Sequence, residues 1–478
     1  DVSVLKTNVI NVVDGGSLTL TSNAELFGTS EAAEDLVAAA NLYKTYPGVA
    51  IVAGVKTAFH WTSSVPRQTT TAATVTLDSG WTGAIHGFSR GVLLCGQEVT
   101  MTMDAGDIYG NKNNYTGAGV SLFQGAQFTM NGGKIRDNYA GVGAGVLVDG
   151  YQWKTGEKVT KFTMKAGAIT GNTIDCYTPS DYTDHMGGAG VQTHYGEFEM
   201  GTEGADNSLC VVSGNCLRRR RGIQYNNVLG VGISIRNNRT SDTKQPSFIM
   251  HSGTVSGNLV DDQPDLNLGQ DLYVYGIGIG TYSVSSLLIE GGEISENRLE
   301  NLYNYDGSSY TCYFFGAGMH VGAPDVVPNI VIRNLTVKNN SLSEDYGTVQ
   351  AYGVYFYGGG LSFSYGLSNY TNNPVVLLEN VQVLDNAVKT RARGNTIAYG
   401  GGIDFQGSTG GYASNAARLL NVTVRGNQAN SGGGIYGSFH WAKNLTVTEN
   451  TAVSGNGGGW NTGYASSGYA QRQVIVED

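Results

Sequence analysis

Glycosidic bonds are hydrolysed by two carboxyl groups roughly 5–9.5 Å apart, and one part of this sequence supplies candidates for that pair. Asp404 follows three glycines in Gly400-Gly401-Gly402-Ile403-Asp404, and an earlier segment carries Glu344 and Asp345. These three are the candidate catalytic carboxylates. His320 lies within reach as a proton relay, because imidazole titrates near neutral pH. Tyr313, Tyr346, Tyr355, Tyr357 and Tyr399 are candidate substrate-binding rings, since a phenol meets both the apolar face and the hydroxyls of a sugar. Ser362, Gln192 and Arg236 are candidate polar contacts on the same surface. Arg218-Arg219-Arg220-Arg221 is the one dense basic run, with Lys389, Arg391 and Arg393 further on. It reads either as a solvated loop or as a rim for uronate, sulfate or sialate groups.

The elements that hold these residues follow from a repeat that starts near residue 101. Its first half is apolar-x-apolar-x-x-Gly-x-Ile/Val-x-x-Asn, as in MTMDAGDIYGN, FTMNGGKIRDN, FTMKAGAITGN, FIMHSGTVSGN and LLIEGGEISEN. Its second half is Gly-x-Gly-apolar. Each half occurs ten times in strict alternation, and the closing asparagines run from Asn111 to Asn450. Apolar and polar residues alternate with the two-residue rhythm of strands. Glycine and asparagine end the runs, and both tolerate positive φ. A rung this short cannot bury a core alone, so rungs must stack. Val120, Val146, Val191, Ile233, Ile279, Met319, Leu361, Ile403, Ile435 and Trp460 are then one interior column, and the ten asparagines one axial ladder.

The distance from each ladder asparagine to the second glycine of its Gly-x-Gly runs 8, 7, 18, 17, 20, 21, 20, 16, 7 and 9 residues. Coils three to eight, counted from the Asn111 coil, thus carry long inserts at one equivalent turn (residues 173–399). Equivalent turns stack about 4.8 Å apart, so the inserts are expected to form a wall. They hold 14 of the 28 tyrosines. The strand after Gly-x-Gly is the floor beside that wall. Its first outward column reads Gln192, Ser234, Gly280, His320, Ser362 and Asp404, and its second begins His194, Arg236 and Tyr282. Ionisable floor groups are expected only where the wall stands.

The Gly-Gly-Gly-Ile/Leu and x-x-Asn signatures resemble those of polymorphic bacterial surface proteins and of β-helix glycoside hydrolases. The resemblance covers about residues 100–478. It implies an all-β, right-handed parallel β-helix of the pectate-lyase-like superfamily, with about ten coils. No acidic triplet resembles the calcium site of pectate lyases. Five cysteines lack C-x-x-C or Cys/His spacing, so neither a metal nor a cofactor is expected. Cys176 and Cys216, just after their ladder asparagines on adjacent coils, are spaced for a loop-to-loop disulfide.

Residues 1–100 do not fit the repeat and read as an N-terminal cap with first strands. Ser30, Glu31 and Glu34 open an amphipathic helix there, to about Tyr43. No matching cap follows Val474-Ile475-Val476, so self-association or continuation is expected at that end. Seven N-x-S/T sequons occur, at Asn114, Asn238, Asn334, Asn339, Asn369, Asn421 and Asn444, and an Asn- and Thr-rich repeat generates such triplets by chance.

The chain has 478 residues and a formal charge of −10, which disfavours nucleic acid as a partner, and no apolar run is long enough to span a membrane. Its low charge and its Gly, Asn, Ser, Thr and Tyr content fit an extracellular or cell-surface protein. Three functions remain open: a secreted glycoside hydrolase on an oligo- or polysaccharide, a non-enzymatic adhesin or filament subunit, and a lyase on an acidic glycan.

Overall fold

The computed structural model describes residues 9–28, 48–55, 70–150, 156–175, 186–218, 227–236, 247–261, 271–284, 286–304, 311–322, 329–343, 349–351, 353–363, 376–390, 396–405, 417–462 and 475–477. Every regular element among them is a strand, and every strand pairing is parallel. The chain winds as a parallel β-helix. One coil runs through Val191–His194 (sheet A), Glu197–Met200 (sheet B), Cys210–Ser213 (sheet C), Cys216–Leu217 (sheet D) and Asn227–Leu229 (sheet E), then re-enters sheet A at Ile233–Arg236. Sheets A and B have 13 strands each and sheet C has 12.

Apolar side chains at alternate positions point inward and stack on their equivalents. On sheet B, Phe128, Phe162, Phe198 and Phe248 form a row with ring centroids 4.9, 5.0 and 5.4 Å apart. The sheet A column from Val120 to Ile435 is fully buried, and Trp460 packs against its end. The ten ladder asparagines form a continuous row from Asn111 to Asn450. Each Nδ2 donates to the next Oδ1 at 2.8–3.0 Å, as from Asn111 to Asn138 and from Asn258 to Asn297. Each Oδ1 also accepts the backbone N–H of the preceding asparagine, so no interior amide is left unpaired along the row.

The second glycine of Gly-x-Gly is required by this packing. A Cβ on Gly278 would lie 2.4 Å from Gly318 O and 2.8 Å from Asn297 Nδ2. Only a residue without a side chain lets the next coil approach so closely.

The described part of residues 1–100 contains strands that continue the β-helix sheets. Ile10–Val12, Val49–Ala53 and Arg90–Cys95 join sheet A in register ahead of Val120–Phe123. Gly16–Leu20 and Ala73–Leu77 do the same on sheet B. These coils lack ladder asparagines and Gly-x-Gly; their sheet B strands alternate apolar and polar residues as the later coils do, whereas Val49–Ala53 on sheet A is apolar throughout. The helix expected from Ser30 to Tyr43 lies outside the described residues.

A second asparagine row runs along the turns between sheets B and C. Asn334, Asn380, Asn421 and Asn444 all adopt positive φ, 52–54°. Asn380 donates to Asn334, Asn421 to Asn380 and Asn444 to Asn421, at 3.1, 2.9 and 2.7 Å. Three of the seven sequons therefore sit in this exposed ladder, placed there by turn geometry.

Candidate ligand-binding corner

The six long inserts each contribute one strand to sheet E: Met186–Gly187, Asn227–Leu229, Leu272–Tyr275, Thr311–Phe315, Gly353–Tyr357 and Thr396–Tyr399. The wall expected from the gap lengths is this sheet. Alternate residues, among them Leu272, Val274, Cys312, Phe314, Val354 and Phe356, turn inward onto a second apolar core shared with sheet D and the middle residues of Gly-x-Gly. The other face carries the sheet's tyrosines and Phe315.

Two aromatic rows stand on that face. Tyr273, Tyr313 and Tyr355 pair in register and stack with centroids 4.6 and 4.8 Å apart. Two residues along, Tyr275, Phe315, Tyr357 and Tyr399 follow at 5.0, 5.1 and 6.2 Å, the last pair edge-on. Tyr399 then stacks on Tyr436 of the next coil at 4.1 Å. Ring spacing equals coil spacing, so the faces are used up against one another. What the half-buried outer row offers a ligand is ring edges and a line of hydroxyls. Tyr275 and Tyr357 are buried deeper, and burial raises both phenols above their usual range, with Asp404's charge adding to the effect on Tyr357.

Sheet A's outward columns form the other side of the corner. Gln192, Ser234, Gly280, His320, Ser362, Asp404, Tyr436 and Asn461 align in register as one column. Among the candidate residues of this column, Gln192, Ser362 and Asp404 are 0% exposed and His320 3%. His320 Nδ1 lies 3.4 Å from Ser362 Oγ, and Ser362 Oγ lies 3.4 Å from Asp404 Oδ2. The serine hydroxyl has one proton, and directing it at the carboxylate makes His320 the donor to Ser362. The His320 ring also contacts Tyr275 and Phe315, at 5.2 and 5.6 Å. Thus His320, Ser362 and Asp404, expected on one floor, form a line across three coils, roofed in part by the inner aromatic row. Both amide atoms of Gln192, and the Ser234 hydroxyl beside it, have no hydrogen-bond partner among the described residues.

The second column holds Asp149, His194, Arg236 and Tyr282 in register. His194 Nδ1 is 3.5 Å from Asp149 Oδ2. Asp149, His194 and Arg236 are all buried. Asp149 corrects the expectation that ionisable floor groups stop where the inserts stop, because its coil has a gap of only 7 residues. Its place two residues after Leu147 in the alternation was a usable signal. Arg236 is 4% exposed and belongs to this buried cluster rather than to an open rim. Arg218 pairs with Asp261 at 2.6 Å, and Asp261 also accepts from Asn301, so this arginine answers a carboxylate of the same wall.

Glu344, Asp345 and Tyr346 lie outside the described residues, as do Cys176, Arg219–Arg221, Arg391 and Arg393. Tyr313, Tyr355, Tyr357 and Tyr399 stand in the aromatic rows. Among the described residues no three His, Cys, Asp or Glu side chains gather as metal ligands, and no helix is long and apolar enough to cross a membrane.

These features define the class of the protein, a parallel β-helix with an aromatic-lined corner along its middle coils. No family model, curated protein or solved structure matches the chain.

Proposed function

We propose that this is an extracellular carbohydrate-recognising protein of the right-handed, pectate-lyase-like β-helix kind, holding an extended glycan along the corner between sheets A and E. One observation carries the reading: Tyr273, Tyr313 and Tyr355 repeat at 4.6 and 4.8 Å along a sheet whose described strands all come from the insert-bearing coils. A row of hydroxyls and ring edges at fixed spacing suits a polymer of polyols. It recognises by hydrogen bonds and edge contacts rather than by a ring laid flat on a sugar. The stack is rigid, so ordering it on binding has little entropic cost.

Glycoside hydrolysis is the second reading, favoured by the line from His320 through Ser362 to Asp404. In that reading Asp404 is one catalytic carboxylate, with Glu344 or Asp345 as its partner and His320 feeding its proton through Ser362. A glycan array followed by a hydrolysis screen on the purified chain separates the two. Recognition alone predicts glycan binding without cleavage, unchanged by Asp404→Asn. Hydrolysis predicts cleavage that falls by orders of magnitude in Asp404→Asn while binding persists. Absence of any glycan bound or cut overturns both.

A further inference from the structure

We propose that the step where sheet E ends is a second ligand pocket, shaped for a single neutral sugar unit. Sheet E stops at Thr396–Tyr399 because the next two coils have gaps of only 7 and 9 residues, too short for another strand. The next coil reaches the sheet's last strand through Ser431, which bridges to Tyr399, and through the backbone N–H groups of Asn430 and Ser431, which donate to Ala398 O. Beside that step lies a cavity of about 330 Å³. This is the low end of ligand-pocket volumes and suits a monosaccharide better than a chain of them.

The lining chemistry narrows the ligand. Tyr399 and Tyr436 form one wall, stacked at 4.1 Å and tilted by 17°. Asn430 and Asn456 supply amides, each able to donate and accept at neighbouring atoms, which is the pattern a vicinal diol needs, while the Nδ2 of Asn461 is engaged by Ser431 Oγ and Asn456 O. No lining residue carries a formal charge. A uronate or sialate would lose hydration there with no cation to answer it, whereas a neutral pyranose would not. The Asn461 and Ser431 side chains are held in place beforehand. Asn461 Nδ2 donates to Ser431 Oγ at 2.7 Å, and Ser431 Oγ donates to Asn456 O at 3.0 Å. Such fixed donors and acceptors beside an aromatic pair are the usual construction of a small polar-ligand site. The pocket shares Tyr399 with the inner aromatic row, but it stands on its own shape and lining.

The test is calorimetric titration of the whole chain with glucose, galactose, mannose, N-acetylglucosamine and glucuronate. Asn456→Ala, Ser454→Phe and Tyr313→Ala are measured alongside. Positions 454 and 456 are exposed, and unchanged melting temperatures verify that those two variants fold. The expected result is millimolar binding of at least one neutral sugar and none of glucuronate. Asn456→Ala should weaken it up to about tenfold, the loss of one hydrogen bond to the sugar, and Ser454→Phe should fill the pocket and abolish it. Tyr313→Ala should leave it unchanged, which separates this pocket from the tyrosine row. No neutral sugar bound, glucuronate bound equally well, or both pocket variants binding like the parent chain would each overturn the proposal.

Discussion

The outward face of sheet A has two stretches with the same backbone geometry and opposite chemistry. Toward the start of the chain, Val52, Leu93 and Leu147 lie on its first column, with Ser121 between the last two, and Cys95 and Phe123 on its second; the apolar five belong to a separate buried cluster. Further along the first column stand Gln192, Ser234, His320, Ser362 and Asp404, just as buried and all polar. A buried polar group without full hydrogen bonding is destabilising by roughly 1–3 kcal/mol. The apolar stretch shows that the architecture accepts Leu or Val at these places. Polarity on the middle coils is therefore not demanded by the fold, and it coincides with sheet E and its tyrosines. The contrast teaches that the repeat sets where a side chain stands, while the residues filling one column decide what that place can do.

The interior column offers the largest perturbation. Ile279→Asp places an unpaired carboxylate in a fully apolar column and should lower stability by about 5 kcal/mol, measured by denaturant unfolding. Near-parental stability would mean that the inward and outward columns have been exchanged. The two asparagine ladders come next. Asn258→Ala removes the bonds linking Asn215, Asn297 and Val212 O inside the protein and should cost about 3 kcal/mol. Asn380→Ala breaks the equivalent contacts of the exposed ladder and should cost about 0.5 kcal/mol, because water replaces them. Equal losses would remove the distinction between structural and surface ladders. The smallest effect has the opposite sign. Gln192→Leu makes the polar stretch resemble Leu147 one coil before, and should stabilise by about 1 kcal/mol by deleting amide atoms that have no partner. A clear destabilisation would show that the polar column is part of the scaffold after all.

How much of this was legible in the sequence depends on how strictly geometry dictates the residue. Asn258 and Gly278 are forced by the ladder and by the approach of the next coil, so they recur and can be read. The inserts were legible through gap lengths, and sheet E lies where those lengths place it. The coils containing Val49–Ala53 and Ala73–Leu77 were legible only as first strands, because they lack the asparagine and glycine marks and Val49–Ala53 is apolar throughout. Asp149 was not legible from the inserts, because its coil has none, and only its register with His194 marks it. Alternation tells which face a side chain takes but not what lies over it, so neither the burial of Asp404 nor the use of tyrosine faces against each other was visible. Of the row through Asn334, Asn380, Asn421 and Asn444, all but Asn380 were visible as sequons, since a left-handed turn asparagine followed by an alternating strand can write the same triplet.

The most direct test of the account is Tyr313→Ala, which removes the central ring of the outer tyrosine row while leaving the apolar core untouched. Its affinity for the best glycan found on the array should be measured by titration beside the parent chain, with melting temperatures for both. The account predicts a loss of about tenfold or more in affinity, with little change in melting temperature. Equal affinity in the two proteins would contradict the claim that the tyrosine row is the recognition surface.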